Sequence, residues 1–444
     1  MSVTRRSFLG SAAAFAVLAD RLAAAAPLRG GSAAVAIEAS GRATDYVMCR
    51  RLYLDICGRI PTRTEVERYT TSKDSHKMEK LVDKLLESED YADYWAMRYC
   101  DILRVKSEFP INLWPNAVYV YHRRIRQAIA NDEPWPDFAR ALLCARGSNF
   151  RVPESNFLRA SATHTPEALS EAATMTFLLE PSRKYAKYFS RVEIKKTKEW
   201  KEEIVGLKLG PADEVPERFM DELEGPLASK FYAAPVKRVY YWIYDTMPRS
   251  TAETTLTGVF KRGGFRLRPL LRHVFLSSNY KAGPIRGKFP PRRLDAEVLD
   301  DAITSITGVP HAFTSIAPEP FTFLPPKRKS VLIEDGSITS SFLMLFGRPA
   351  RDSGALEERH NEITAKQRLY LYNSNHIWKA LGMLADDPKF KALDHRQQVD
   401  DLFLRFLARP ATKEELAVID PKNNLDARSI AWYLVNSFEF LFRV

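Results

Sequence analysis

Apolar residues recur three and four positions apart through most of the chain, the spacing of a helix that buries one face. Met48, Leu52 and Ile56 predict a first helix that closes at Gly58. Pro61-Thr62 restarts the chain, and Thr62 with Glu65 forms a capping box, in which each residue satisfies the other's free amide. Helical patterns follow at Met78 to Leu86, Tyr91 to Val105, Val118 to Ile129, Phe138 to Leu143, Val239 to Ile243 and Pro269 to Leu276. The clearest lies at 294–307, where Leu294, Val298, Ala302 and Ile306 line one face beside Leu299 and Ile303. Pro290 and Pro291 bar a helix before it, Asp295 and Glu297 fall in its first turn, and Gly308 suits its end. Strict alternation is nearly absent, and Ser330 to Ile333 is the one short strand expected in the second half. The pattern predicts a mainly α fold: a helical two-domain protein with short strands and long ordered loops in its second half.

One stretch is repeated. Leu52-Tyr-Leu-Asp-Ile-Cys-Gly-Arg-Ile-Pro-Thr62 aligns with Leu402-Phe-Leu-Arg-Phe-Leu-Ala-Arg-Pro-Ala-Thr412 at a constant offset of 350, and Thr412/Glu415 repeats the capping box. Each copy reads as helix, Arg-containing turn, capped helix, which is recurrent structure and not a duplicated site. Leu371-Tyr-Asn-Ser374 and Leu434-Val-Asn-Ser437 are a second echo, each closing an apolar helix.

Composition divides the chain further. Arg5 and Arg6, a short apolar run from Gly10 to Ala19 and Ala24-Ala-Ala26 before Pro27 describe a twin-arginine signal peptide over 1–26. A small-residue linker at 27–43 then leads to an N-terminal helical domain at 44–208. A Gly-, Pro- and acid-containing linker at 209–228 leads to a C-terminal helical domain at 229–444. The expected location is the periplasm or cell envelope, reached by the twin-arginine pathway, with no integral membrane span in the mature chain. The net charge of +11 suits an anionic partner, but no nucleic-acid motif accompanies it, so no nucleic acid is expected. Lysines between 183 and 208 read as a solvated face. Cys49, Cys57, Cys100 and Cys144 form no CxxC or CxxCH and read as buried apolar thiols, with an interhelical disulfide as the alternative.

Candidate chemistry is sparse. There is no GxSxG, no phosphate loop, and no His pair at metal-binding spacing. Glu357, Glu358, His360 and Glu362 cluster in sequence but read as a charged turn, so neither a metal nor a cofactor is expected. What remains is a constellation of both signs. Arg292, Arg293, Arg348, Arg359 and His360 are candidate ligand-binding residues, and Asp295, Glu297 and Glu358 are candidate acid/base residues. Guanidinium forks bind carboxylate or sulfate through two parallel bonds, so the arginines either lock helices together or line a groove for an anion.

Several strings together resemble a family of exported proteins in which a domain of unknown function 1549 precedes a domain of unknown function 1553, abundant in planctomycetes. Arg51-Leu-Tyr-Leu-Asp-Ile-Cys-Gly-Arg-Ile-Pro-Thr62 is similar to its opening motif. Lys80-Leu-Val-Asp-Lys-Leu-Leu-Glu-Ser88 with Tyr91 and Trp95 is similar to the next. Arg292-Arg-Leu-Asp-Ala-Glu297, Phe346-Gly-Arg-Pro349 and Glu358-Arg359 with Leu369-Tyr-Leu-Tyr-Asn-Ser374 match later ones. Relatives often carry CxxCH or a cytochrome domain, which implies electron transfer near the envelope. Here the matching place near Leu178 to Lys184 has no cysteine, Ser353-Gly-Ala-Leu356 replaces a Cys-containing strand, and His360 stands where relatives have Ser. This chain is therefore a member lacking the haem motif. The expected function is that of a non-catalytic binding or assembly component of the envelope, with other exported envelope proteins or anionic polysaccharide as partners. The alternative is an envelope enzyme acting on saccharides through a carboxylate acid/base.

Overall fold

The computed structural model describes residues 43–282, 291–317, 321–322, 324, 327–419 and 425–444. The expected signal peptide over 1–26, nearly all of the expected first linker and Pro290 lie outside the described residues.

Helices account for most of the described chain. The first spans Asp45–Cys57 and stops where Gly58 turns left-handed at φ 61°; a side chain there would strike the ring of Tyr94. Helices Arg63–Thr71, Lys77–Leu86, Glu89–Ile102, Pro115–Ala130 and Trp135–Cys144 follow, each within a few residues of its expected position. Leu52, Ile56, Val82, Trp95, Tyr121, Ile125 and Leu142 pack into a core that runs without a break into Phe231, Leu270, Leu299, Phe342, Leu402 and Phe440.

The repeat is structural down to its side chains. Arg59 grips Glu65 with two bonds of 2.8 Å, and Arg409 grips Glu415 at 2.8 and 2.9 Å. Each arginine then reaches an acid two residues past a serine helix cap, Asp90 after Ser88 and Glu439 after Ser437. Both copies end their first helix left-handed, Gly58 at φ 61° and Ala408 at φ 58°. Ser374 and Ser437, expected to close helices, also cap the following ones by accepting from Ile377 N and Phe440 N.

Four expectations need correction. The Ser330–Leu332 stretch is a turn of 3-10 helix, not a strand. The lysine-rich 183–208 region contains a hairpin, Val192–Lys196 paired antiparallel with Glu203–Leu207, which Gly147–Ser148 extends on its other side. Val192 and Val205 point inward while Lys195 and Lys196 stay in solvent; with so few inward positions the alternation was too short to register. Residues 209–228, expected to link two domains, hold the helix Pro216–Glu224, whose Phe219, Met220 and Leu223 are buried. The helix expected at 294–307 begins later, at Ala296, because Arg292 and Arg293 are extended and pair with Arg443 and Phe442 of the C-terminal strand.

Cys49, Cys57 and Cys100 are buried free thiols and Cys144 is half-buried and free. Burial pushes the Cys49, Cys57 and Cys100 thiols up to about 12. Among the described residues no helix is long and apolar enough to cross a membrane.

Candidate binding cleft over an arginine–carboxylate core

The buried N-terminus of the helix Ala296–Thr307 organises the site. Asp295 takes its cap position but bonds none of the helix's own amides. Its carboxylate instead receives Arg98 Nη2 at 2.5 Å and the Tyr94 hydroxyl at 3.0 Å, both from the helix Glu89–Ile102 in the first half of the chain. Arg292 lies 3.5 Å away and Arg359 3.9 Å. Glu297, fully buried, is held by both terminal nitrogens of Arg359, at 2.7 and 3.0 Å, with Arg348 Nε at 3.3 Å. Arg359 turns its other edge to Asp101, at 2.7 and 3.1 Å, and Arg351 completes Asp101 at 2.9 Å.

Asp101 and Arg98 thus fasten the first half of the chain to Asp295, Glu297, Arg351 and Arg359 of the second. Burial alone would raise the pKa of Asp295, but Arg98, Arg292 and Arg359 outweigh it and hold the carboxyl well below the usual range. Glu297 is likewise raised by burial and more than compensated by Arg359 and Arg348.

The remaining arginines of the constellation bind backbone. Arg293 donates to the carbonyls of Phe346 and His360 at 2.6 and 2.8 Å. Arg348 donates to those of Ile338 and Asp335. Arg292 donates to the Trp242 carbonyl and, with the Asn361 amide turned so that its oxygen faces the guanidinium, to Asn361 as well. The turn they hold is tight: Gly347 sits at φ 81°, with the His360 carbonyl where a Cβ would stand. Arg51 of the opening motif and Arg50 just before it do the same for the chain's end, donating to Phe440, Phe442 and Val444, while Arg443 returns to Asp55 at 2.8 Å.

Two domain models cover this architecture. Residues 29–198 match Protein of unknown function (DUF1549), and residues 254–421 match Protein of unknown function (DUF1553), in that order. The chain belongs to the DUF1549–DUF1553 family. No curated protein and no solved structure matches it. In this DUF1549–DUF1553 protein the recurrent strings are accounted for: Arg50, Arg51 and Asp55 anchor the C-terminus, and Arg292-Arg-Leu-Asp-Ala-Glu297 is the seam between the halves.

Over the seam opens a cleft of about 450 Å³, within the usual span of roughly 300–1,000 Å³ for small-ligand sites. Arg98, Arg292, Arg359 and Asp101 are among its lining residues, together with Tyr241, Trp242, His360 and Asn361. Of the sequence-predicted residues it therefore gathers Arg292, Arg359 and His360. Arg293 and Arg348 lie behind it, on carbonyls and Glu297. Asp295 and Glu297 share Arg359 but are buried and fully engaged. Glu358 is elsewhere: its carboxylate accepts the amides of Asp352, Ser353 and Gly354 at 2.8, 3.2 and 3.3 Å, a turn-holding role. Sequence reasoning missed Asp245, which lines the cleft; Glu357 and Glu362, read from the sequence as part of a charged turn, line it too, with no ion-pair partner among the described residues. Nothing in their local sequence distinguishes them from ordinary surface acids.

Proposed function

We propose that this protein is an exported, non-catalytic component of the cell envelope that binds saccharide in the cleft over the arginine–carboxylate core, with anionic polysaccharide as its partner. One observation carries the reading. The acids best placed by sequence for acid/base work, Asp295 and Glu297, are held ionised by Arg98, Arg348 and Arg359 and have no proton to give at neutral pH. General acid catalysis instead requires a group poised near the working pH. The cleft above them offers guanidinium donors and carboxylate acceptors together with aromatic surface, the combination that a polyhydroxylated ring requires. The net charge of +11 favours an acidic chain over a neutral one, and the paired Arg5 and Arg6 support export in the folded state.

Calorimetric titration of the mature chain with oligogalacturonate and with a neutral oligosaccharide tests the reading. We expect saturable binding of the acidic oligomer that His360→Ala and Tyr241→Ala weaken; absence of binding to any acidic oligosaccharide would refute it. Replacement of Arg5 and Arg6 by lysine is expected to leave precursor in the cytoplasm, and unchanged export would refute that part.

A second reading rests on Glu357 and Glu362, which bring carboxylates with no ion-pair partner among the described residues to the cleft wall, beside Asp245 at 3.7 Å from Arg292. It makes the cleft a hydrolytic site. Release of reducing ends that Glu357→Gln or Glu362→Gln abolishes would establish it over the first.

A further inference from the structure

The tip of the lysine-rich hairpin carries a feature that the cleft does not explain. Trp200 is 70% exposed, an unusual position for the largest apolar side chain. It meets the ring of Trp114 edge-on at 6.4 Å, and Phe321 also packs against Trp114, at 5.2 Å. Lys201 holds its ammonium 5.3 Å from the Trp114 ring and 5.5 Å from the Trp200 ring.

The arrangement is built into the backbone. Thr197 N donates to the Glu202 carbonyl at 3.1 Å, and the Thr197 hydroxyl donates to the Glu202 carboxylate at 2.9 Å, closing the tip. Lys201 sits left-handed at φ 60°, a conformation that costs a non-glycine residue energy and aims its side chain back over the rings. The acids nearby are already committed: Glu202 to Ser148 and Thr197, Glu203 to Arg159 and Glu193 to Lys195. Exposed Lys196, Lys198 and Lys201 therefore outweigh Glu199 at the tip.

We infer that Trp200, Trp114 and Lys201 form a docking platform for an acidic polysaccharide, separate from the cleft. A pyranose ring presents an apolar C–H face that stacks on an indole, and carboxylate or sulfate substituents projecting from the ring's edge find the lysines. The closed tip fixes the backbone that carries Trp200, and the helix Pro115–Ala130 carries Trp114 at its N-cap, so little ordering entropy is lost on binding. The inference rests on the saccharide reading of the protein but not on the cleft being the site.

The test is a tryptophan-fluorescence and calorimetric titration of the full chain with oligogalacturonate, at low and raised salt, comparing Trp200→Ala, Lys201→Ala and His360→Ala. All three side chains are exposed or line an open cleft, so the variants should fold, which circular dichroism checks. Loss of one stacked ring is expected to weaken binding about tenfold. Added salt is expected to weaken it further. Binding by the wild type that Trp200→Ala and Lys201→Ala leave unchanged, while His360→Ala lowers it, overturns the platform and leaves the cleft reading standing. A wild type that binds no acidic oligosaccharide overturns both. Binding to anionic phospholipid vesicles that depends on Trp200, without binding to the oligosaccharide, makes the platform a membrane contact and overturns its assignment.

Discussion

Replacement of Asp295 by alanine probes the seam that joins the two halves. The substitution removes the carboxylate that Arg98 holds at 2.5 Å and Tyr94 at 3.0 Å. Arg98 is left buried with no other carboxylate within ion-pair distance among the described residues. Removing one partner of a buried pair costs about 3–5 kcal/mol, because the other charge stays desolvated and uncompensated. An exposed pair such as Arg63–Glu67, with both side chains more than half exposed (55% and 52%), makes the contrast, since Glu67→Ala should cost under about 1 kcal/mol. Urea unfolding followed by both far-UV circular dichroism and tryptophan fluorescence reads the difference, and Trp95 and Trp242, 5.8 Å apart, report from the core beside the seam. Replacing the pair together, Arg98→Met with Asp295→Leu, should cost less than Asp295→Ala alone, because no charge is then stranded. The sign with pH follows from the depressed pKa of Asp295. Its contribution is fully present above the unfolded value near 4 and is lost as pH falls through the folded value, so the wild type's advantage should narrow only in strong acid. A loss below about 1 kcal/mol at pH 7 would refute the reasoning and reduce the motif to a surface ion pair.

Two further outcomes are expected from other elements. Burial pushes the Asp301 carboxyl up to about 7 although the amides of Ser330 and Val331 bond it, so the folded state retains a proton that the unfolded chain releases near 4. Stability should therefore fall as pH rises from about 4 to 7, and the stability of Asp301→Asn relative to wild type should climb across the same window; a flat difference would contradict this. Ala408 occupies the left-handed position that glycine holds in the first copy of the repeat. Ala408→Gly should stabilise by about 0.5–1 kcal/mol in urea unfolding, and a destabilisation would show that its methyl group's packing outweighs backbone strain.

What the sequence disclosed was set by range. The helices were legible because apolar spacing and caps such as Thr62/Glu65 act within a few residues. The repeat was legible for the same reason, though its arginines were seen only as turn residues and not as the clamps on Glu65 and Glu415 that they are. Arg292, Arg359 and His360 line one cleft, but spacing does not separate them from Arg293 and Arg348, which bind backbone carbonyls instead. Nor could it show that Asp295 finds its partner in Arg98, 197 positions away, or that Glu358 is consumed by its own turn. The hairpin at 192–207 escaped notice because two inward valines among lysines make no readable alternation. The helix Pro216–Glu224 is hard to read from sequence because the Pro, Gly and acids of its stretch spell a break, while Phe219, Met220 and Leu223 carry its buried face.

The most direct measurement is a crystal structure of the mature chain grown with saturating oligogalacturonate. The account predicts a sugar unit in the 450 Å³ cleft, its ring against Tyr241 or Trp242 and its acidic group facing Arg292 and Arg359, with Asp295 and Glu297 still locked to their arginines. A cleft left empty at saturation, or a ligand that displaces Arg359 from Glu297 to reach the acids beneath, would contradict it.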